Sequence, residues 1–382
     1  SPGAGSRYIF IDALGRGGRD RHNNIIPDPK KFPNGMKAVA DYVHSKGLKL
    51  GIYSDAAQLT CGGWTASLGF EAQDTRTFAS WGIDYLKYDY CNAPADSATA
   101  RRRYRTMANA LQRSGRDIAL GICEWGQRHG EEWCEEVGGQ LWRTSYDVRD
   151  MWRDTLGQGG MGILDIVNIT APLAPHVRPG QWPDMDMLVV GLDGKGGPSS
   201  DLGGKGCTLT EYQSQMSLWC MLASPLAMSN DLRKVPEEVR SILLNREIIA
   251  IDQDTLGRAA ERKVLTDVCQ IFVRPLADGS HAVAILNTSD RPATFRHRGP
   301  ADRARRVAAP RHRPHRHPLE RTCGGARDQG ARAEETITMK PNKKTARFSL
   351  HLPWQAAKPG GHLILRYTLY IMVYPPRACA AA

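Results

Sequence analysis

The sequence predicts an α/β chain: a (β/α)8 barrel one strand short of closure, followed by an incomplete all-β antiparallel sandwich domain. Three observations carry this. Short apolar, β-prone runs alternate with amphipathic helical segments from the start of the chain to about residue 257. Several of those runs end in an acidic residue, as the strands of a parallel barrel do where they hold a site. From Val264 the apolar period changes from 3.6 to two, with turn signals between the runs.

The elements follow in order. Tyr8 to Asp12 reads as a strand, Gly35 to Lys46 as a helix with apolar residues at 36, 39, 40 and 43, and Leu48 to Ser54 as the next strand. The unit repeats with helices over Phe70 to Trp81, Ala98 to Ser114 and Glu131 to Val137. Each leads into a strand, at Tyr85, at Ala119 to Glu124 and at Leu141 to Arg143. Strand signals at Met187 to Val190 and Leu226 to Ser229, among helical segments at Met151 to Ile166, Tyr212 to Leu222 and Pro236 to Leu244, bring the count to seven. Strand, helix, strand with short links means parallel βαβ units. Cys269 to Arg274 and His281 to Leu286, with Asp278-Gly279 between them, form an antiparallel hairpin. The domain reading is therefore a barrel over 1–257, the start of a sandwich over 258–295, a basic disordered segment over 296–335, and a tail over 336–382 with strand-like runs. One of these, Leu363 to Tyr374, has no evident partner.

The net charge of +11 suggests a polyanion partner, but its distribution argues against one. Between Arg296 and Arg332 there are 11 arginines against Asp302, Glu320 and Asp328, so this segment supplies +8 of the +11. Arginine, proline, histidine and alanine dominate it with almost no apolar periodicity, so it should not pack. No aromatic residue interleaves the arginines to stack on bases, and no nucleic-acid partner is expected. A membrane partner is not expected either, since no apolar run reaches about 20 residues. The chain opens at Ser1 without a signal peptide, which reads as a processed terminus or a fragment. Nine cysteines show no paired CxxC spacing, so no metal site is expected. Cys91 and Cys123 each end a strand signal, which allows a bridge between adjacent strands and would imply an oxidising compartment.

The site is read from Tyr85-Leu86-Lys87-Tyr88-Asp89-Tyr90-Cys91-Asn92. Lys87 and Asp89 are two apart, hence on one face of the strand, and burying either unpaired is costly. They form either a structural ion pair or part of a polar pocket. Asp12, Asp55, Asp89, Glu124 and Asp147 end or follow five different strands, and a parallel barrel brings such residues to one mouth. Lys87 and Arg143 balance them, while Tyr53, Trp125, Trp142 and Trp182 offer flat apolar walls. Carboxylates beside aromatic platforms suit a sugar, whose hydroxyls donate to the acids and whose C–H faces lie on rings. Glycosidic cleavage needs two carboxyl groups, one a nucleophile or base and the other a proton donor.

With those residues in view, the chain resembles glycoside hydrolase family 27, the α-galactosidase and α-N-acetylgalactosaminidase family, in a bacterial form. The matching pieces include Tyr-Ile-Phe-Ile-Asp at 8 to 12, Ile-Pro-Asp-Pro-Lys-Lys-Phe-Pro-Asn-Gly-Met-Lys at 26 to 37, and Lys-Leu-Gly-Ile-Tyr-Ser-Asp-Ala at 49 to 56. Lys-Tyr-Asp-Tyr-Cys-Asn at 87 to 92, Cys-Glu-Trp-Gly at 123 to 126, Leu-Trp-Arg-Thr at 141 to 144, Trp-Pro-Asp-Met-Asp-Met-Leu at 182 to 188 and Ser-Pro-Leu-Ala-Met-Ser-Asn-Asp-Leu-Arg at 224 to 233 follow in family order. The resemblance implies a retaining α-galactosidase without a cofactor, secreted or periplasmic, acting on α-galactoside oligosaccharides, with homo-oligomerisation left open. It makes Asp89 the nucleophile and Asp147 the acid/base. Lys87, Arg143 and Asp12 would bind sugar hydroxyls, Tyr53 and Cys61 line the pocket, Glu124 accept the 2-hydroxyl, and Asp186 sit beside the acid/base. Cys91 and Cys123 match positions the family joins by a disulfide. Lys87 is expected to keep Asp89 ionised, and a nearby anion to raise the pKa of Asp147.

Departures from the family pattern qualify that reading. Ala13 stands where the family has a second consecutive aspartate, and the family's first strand, with its Gly-Trp-Asn-Ser-Trp motif, does not precede Tyr8. A barrel without that strand has an open edge. Residues 1–6, 13–16 and those beyond 295 read as shifts of the coding frame. The alternatives are α-N-acetylgalactosaminidase, against which a carboxylate at Glu124 argues, β-L-arabinopyranosidase, and, in another class, an inactive sugar-binding remnant or a fragment.

Overall fold

The computed structural model describes residues 7–12, 16–156, 159–195 and 203–289, and the backbone of four strands beyond them. In chain order these are β1 (Tyr8–Ile11), β2 (Arg16–Arg19), β3 (Ile25–Pro27), α1 (Gly35–Ser45), β4 (Lys49–Asp55), α2 (Glu71–Trp81), β5 (Tyr85–Asp89) and α3 (Ser97–Gln112). Then come β6 (Ala119–Cys123), α4 (Gly130–Val137), β7 (Leu141–Arg143), α5 (Ile163–Thr170), β8 (Trp182–Asp184), α6 (Leu209–Met221), α7 (Glu237–Leu243) and α8 (Arg246–Asp252). The last part holds β9 (Glu261–Leu265), β10 (Cys269–Pro275), β11 (His281–Asn287), β12 (Ala293–His297), β13 (Glu335–Met339), β14 (Ile364–Leu365) and β15 (Leu369–Tyr374).

Six strands form one parallel sheet in the order β1-β4-β5-β6-β7-β8, the partial barrel that the alternation predicts. Two predicted strands need correction. Met187–Val190 and Leu226–Ser229 meet only at a single parallel bridge, Leu188 with Met228, while Trp182–Asp184 is the sixth ladder strand. With three residues and Pro183 at its centre, that strand carries no period-two signal for sequence to find. Among the described residues β1 pairs on one side only, and its Ile9 and Phe10 are exposed, as expected of an open edge.

Alternation divides the sheet into two faces. Leu50, Ile52, Leu86, Leu120 and Ile122 point outward and meet Met36, Ala40 and Val43 of α1, Phe78 of α2, and Tyr104 and Met107 of α3. The helices have local reasons to begin and end there. Asp96 caps α3 by accepting the Thr99 amide, Thr208 and Glu211 close a capping box on α6, and Gly82 ends α2 in the left-handed region. On the inner face two glycines make room for rings: a Cβ on Gly51 would stand 2.6 Å from the Phe10 ring, and one on Gly121 would stand 2.1 Å from the Tyr85 hydroxyl. Tyr85 thus fills the barrel below the charged ends of the strands.

The change of period near Val264 is real. β9, β10 and β11 form an antiparallel sheet, and β15 joins it along β11 with Ala282 opposite Val373 and Ile285 opposite Tyr370. The late run therefore does have a partner, 83 to 93 residues back along the chain and so beyond anything local pattern can show. This sheet sits on α6: Phe272, Ala282 and Leu286 share a core with Leu218 and Trp219, and the buried Arg274 donates to the carbonyls of Cys220 and Asp252. β12 pairs with β13, and between them the arginine-rich segment lies outside the described residues. No helix among the described residues is long and apolar enough to cross a membrane.

Candidate active site

Parallel pairing sets the site's rows. Register partners in neighbouring strands face the same side, so Asp55, Asp89 and Cys123 form one row across β4, β5 and β6. Arg143 and Asp184, partners across β7 and β8, stand at the corresponding carboxyl ends. One step below lie Tyr53, Lys87, Gly121, Leu141 and Trp182. The expected convergence of strand ends is thus produced by register alone.

Asp89 is 5% exposed and held on both oxygens. The Tyr53 hydroxyl donates to Oδ2 at 2.9 Å, the Tyr90 amide donates to Oδ1 at 2.9 Å, and Cys61 Sγ lies 3.8 Å from Oδ2. Burial pushes the Asp89 carboxyl above its ordinary value, although Lys87 and the two hydrogen bonds work against that. Lys87 keeps its charge: burial disfavours it, but Asp12, 3.7 Å from Nζ, and Asp89 hold its pKa well above the usual range. Its ammonium also lies 5.3 Å from the centre of the Tyr53 ring.

The other half of the mouth is arranged around Arg143, a fully buried guanidinium. It donates to Asp147 Oδ1 at 2.6 Å and to Asp186 Oδ2 at 2.5 Å, and Cys123 Sγ is 3.7 Å from its other terminal nitrogen. The Val148 amide also donates to Asp186 Oδ2, at 2.8 Å, and Asp186 itself adopts a left-handed φ of 71°. Burial raises the Asp186 carboxyl against the pull of Arg143. Asp147 goes the other way. Its side chain is 59% exposed, and although desolvation would raise it, Arg143 and Lys87 hold it below the ordinary carboxylate range. The expected order of the two carboxyls is therefore corrected: in the free protein Asp89 is raised by its burial and Asp147 lowered by its guanidinium partner.

Trp125 lies on the loop after β6 at a left-handed φ of 58°, its ring 6.4 Å from that of Tyr146. The following Gly126 permits this, since a Cβ there would stand 2.2 Å from the Thr144 carbonyl. Two other expectations are corrected. Glu124 follows the inward Cys123 and so points outward; it is 0% exposed, accepts the Gly130 amide at 3.2 Å and stands 3.6 Å from Arg128, away from the mouth. Burial raises its carboxyl to about 7. Trp142, between Leu141 and Arg143, is likewise outward and packed under the helices. Trp182 opens β8 at its amino end in the inward row that also holds Tyr53 and Lys87, and packs against Gly257. The disulfide is corrected too: Cys91 bridges to Cys61, with Cα atoms 5.1 Å apart, and Cys123 is a free thiol beside Arg143, raised by burial. Asp55 accepts the Cys91 amide at 3.1 Å, and this anchoring, like the position of Asp184 next to Asp186, was not legible as a site feature.

A family model described as Alpha galactosidase A matches residues 2–254. α-Galactosidase A of Cellvibrio japonicus is 42% identical over 296 residues, which cover 77% of this chain and 69% of that protein. α-Galactosidase I of Mortierella vinacea superposes with a TM-score of 0.71 at 33% identity, covering 78% of this chain and 75% of its own. An α-galactosidase/melibiase candidate of Bacteroides fragilis gives a TM-score of 0.73 at 49% identity, over 77% of this chain and 62% of that one. The chain thus spans roughly two thirds of the length of the relatives it matches.

Proposed function

The chain belongs to the α-galactosidase A family, glycoside hydrolase family 27, and on that premise we propose that it hydrolyses terminal α-linked galactosides with retention of configuration. The observation that carries the reading is Asp89, fixed at the end of β5 by Tyr53 and the Tyr90 amide, across the mouth from a half-exposed Asp147 on Arg143. In the first step an Asp89 oxygen attacks the anomeric carbon as the bond to the leaving oxygen breaks, and Asp147 gives that oxygen its proton. In the second, water attacks the same carbon, Asp147 takes the water's proton, and the ester bond to Asp89 breaks. Lys87 and Asp12 bind sugar hydroxyls, Tyr53 and Trp125 give apolar walls, and Asp186 fixes Arg143. A bound sugar strips water from Asp147, which raises its pKa towards the protonated form its role needs. The Cys61–Cys91 bridge supports an oxidising, secreted or periplasmic setting.

The test is hydrolysis of nitrophenyl α-galactoside, with the first anomer released followed by NMR. Release of α-galactose by the parent, and none by Asp89→Asn, is expected. Release of the β anomer first, or full activity in the variant, overturns the assignment.

A further inference from the structure

The bridge that corrects the sequence reading also closes a cluster that spacing did not reveal. Asp55, Cys61, Asp89 and Cys91 each bring one ligand atom within 4.8 Å of the others. The cysteines are 30 residues apart, in the loops after β4 and β5. Those loops meet because Asp55 and Asp89 are register partners, and the Cys91 amide, bonded to Asp55 at 3.1 Å, holds the second loop to the first strand. Around a tetrahedral ion with bonds of about 2.0 to 2.3 Å, ligand atoms stand about 3.3 to 3.8 Å apart. Once the bridge is reduced, letting the two sulfurs part from bonding distance and bringing the carboxylate oxygens in by up to about an ångström makes this a four-coordinate set. Two sulfurs and two carboxylate oxygens select a thiophilic divalent ion over magnesium or calcium. In the disulfide the sulfurs are bonded to one another and the set does not exist.

We propose that reduction of the Cys61–Cys91 bridge converts this cluster into a binding site for a thiophilic divalent cation of the zinc or cadmium type, which takes Asp89 as a ligand and stops hydrolysis. The inhibitory half rests on the reading of Asp89 as nucleophile; the binding half does not. A dithiol reductant supplies the two electrons: its two thiols become a cyclic disulfide, and their two hydrogens pass to Cys61 and Cys91. The cation then displaces two protons from those thiols into solvent, and the charge of Lys87 offsets part of the negative charge of the resulting complex. A carboxylate bound to the cation has its electron density drawn to the ion and is a poor nucleophile towards the anomeric carbon. The hydrolase is then silent wherever its thiols are kept reduced and the ion is present, and active once the bridge forms.

The experiment uses the full chain, reduced with a dithiol that is then removed, beside the oxidised chain, the reduced C61S/C91S double variant and reduced Asp55→Asn. Cadmium uptake is read by equilibrium dialysis and by the ultraviolet absorbance of the cadmium–sulfur bond. The reduced parent should bind one equivalent beyond the oxidised chain, the double variant should lose it, and Asp55→Asn should bind about tenfold more weakly. One bound equivalent should abolish nitrophenyl α-galactoside hydrolysis, and a chelator should restore it. Equal uptake by the oxidised and reduced parent overturns the proposal, as does equal uptake by reduced parent and double variant. Full turnover with one ion bound overturns it as well. If the oxidised, metal-free chain hydrolyses no galactoside, the hydrolase reading fails, and uptake alone decides the metal site.

Discussion

The two halves of the mouth are built differently. Asp55, Asp89 and Cys123 sit on strands of five to seven residues whose ladders fix every position, and the row they form is a consequence of register. Asp147 and Asp186 follow strands of three residues and stand on loops, held in place by one guanidinium they share. The strand half gives a carboxylate buried and bonded on both oxygens, as a group that must attack along one line needs. The loop half gives a carboxylate more than half exposed, whose protonation can respond to what occupies the mouth. The proposed division of labour between nucleophile and acid/base thus has a counterpart in how each carboxylate is supported.

The sharpest way to break that contrast is to remove each half's central group. Asp89→Asn keeps the shape and hydrogen-bonding size of the side chain but cannot form the ester, so turnover should fall by on the order of 10^4-fold or more, with unchanged thermal unfolding. Activity within tenfold of the parent would take the nucleophile out of the strand half. Arg143→Met should instead act on stability, because it leaves the buried Asp186 charge without its partner: about 3 to 5 kcal/mol, read from urea unfolding midpoints. A loss under about 1 kcal/mol would mean that the loop half is held by something other than Arg143.

The contrast also governs what the sequence could disclose. Lys87 and Asp89, Asp55 and Asp12 were legible because period-two alternation and a parallel sheet dictate both the face and the end of the strand. Alternation excludes Glu124 and Trp142 from the mouth; the count of acids at strand ends had placed Glu124 there, the resemblance had given it the 2-hydroxyl, and the search for apolar walls had placed Trp142. Cys61 and Cys91 were each visible, but which sulfur meets which depends on two loop paths that no spacing records. The lowered Asp147 was hidden for a related reason: its pKa depends on where the Arg143 head lies, four residues back on a different element. β8 escaped because three residues around a proline carry no period, and β15 because its partner lies 83 to 93 residues earlier along the chain.

A smaller effect separates the strand half's two faces. Glu124, outward on the strand that carries Cys123, has its carboxyl raised to about 7 in the folded protein from an ordinary value of 4.5. The folded chain keeps that proton to higher pH than the unfolded chain does. Its contribution to stability is therefore fully present below about pH 4.5 and is lost as pH rises through about 7, by up to about 3 kcal/mol. Glu124→Gln stays neutral throughout and can still accept the Gly130 amide. Urea midpoints at pH 4.5 and 7 should differ less in the variant than in the parent; an identical difference would mean that Glu124 does not titrate as a buried acid.

The smallest change tests whether the two halves titrate separately. Tyr53→Phe removes one donor from Asp89 and touches nothing around Arg143. A hydrogen bond to a carboxylate favours its ionised form, so the variant's Asp89 should rise further. In the oxidised free enzyme Asp89 is already raised and Asp147 lowered, so the productive form, with Asp89 ionised and Asp147 protonated, is the minor one of two singly protonated forms. Raising Asp89 makes that form rarer still. The bell of kcat/KM against pH should then extend on its alkaline side while its plateau drops in proportion. Were Asp147 the higher of the two, the acid limb would move up instead and the plateau would hold. Movement of both limbs together would show that Arg143 and Lys87 couple the halves into a single titrating unit, and the structural division would have no counterpart in the chemistry.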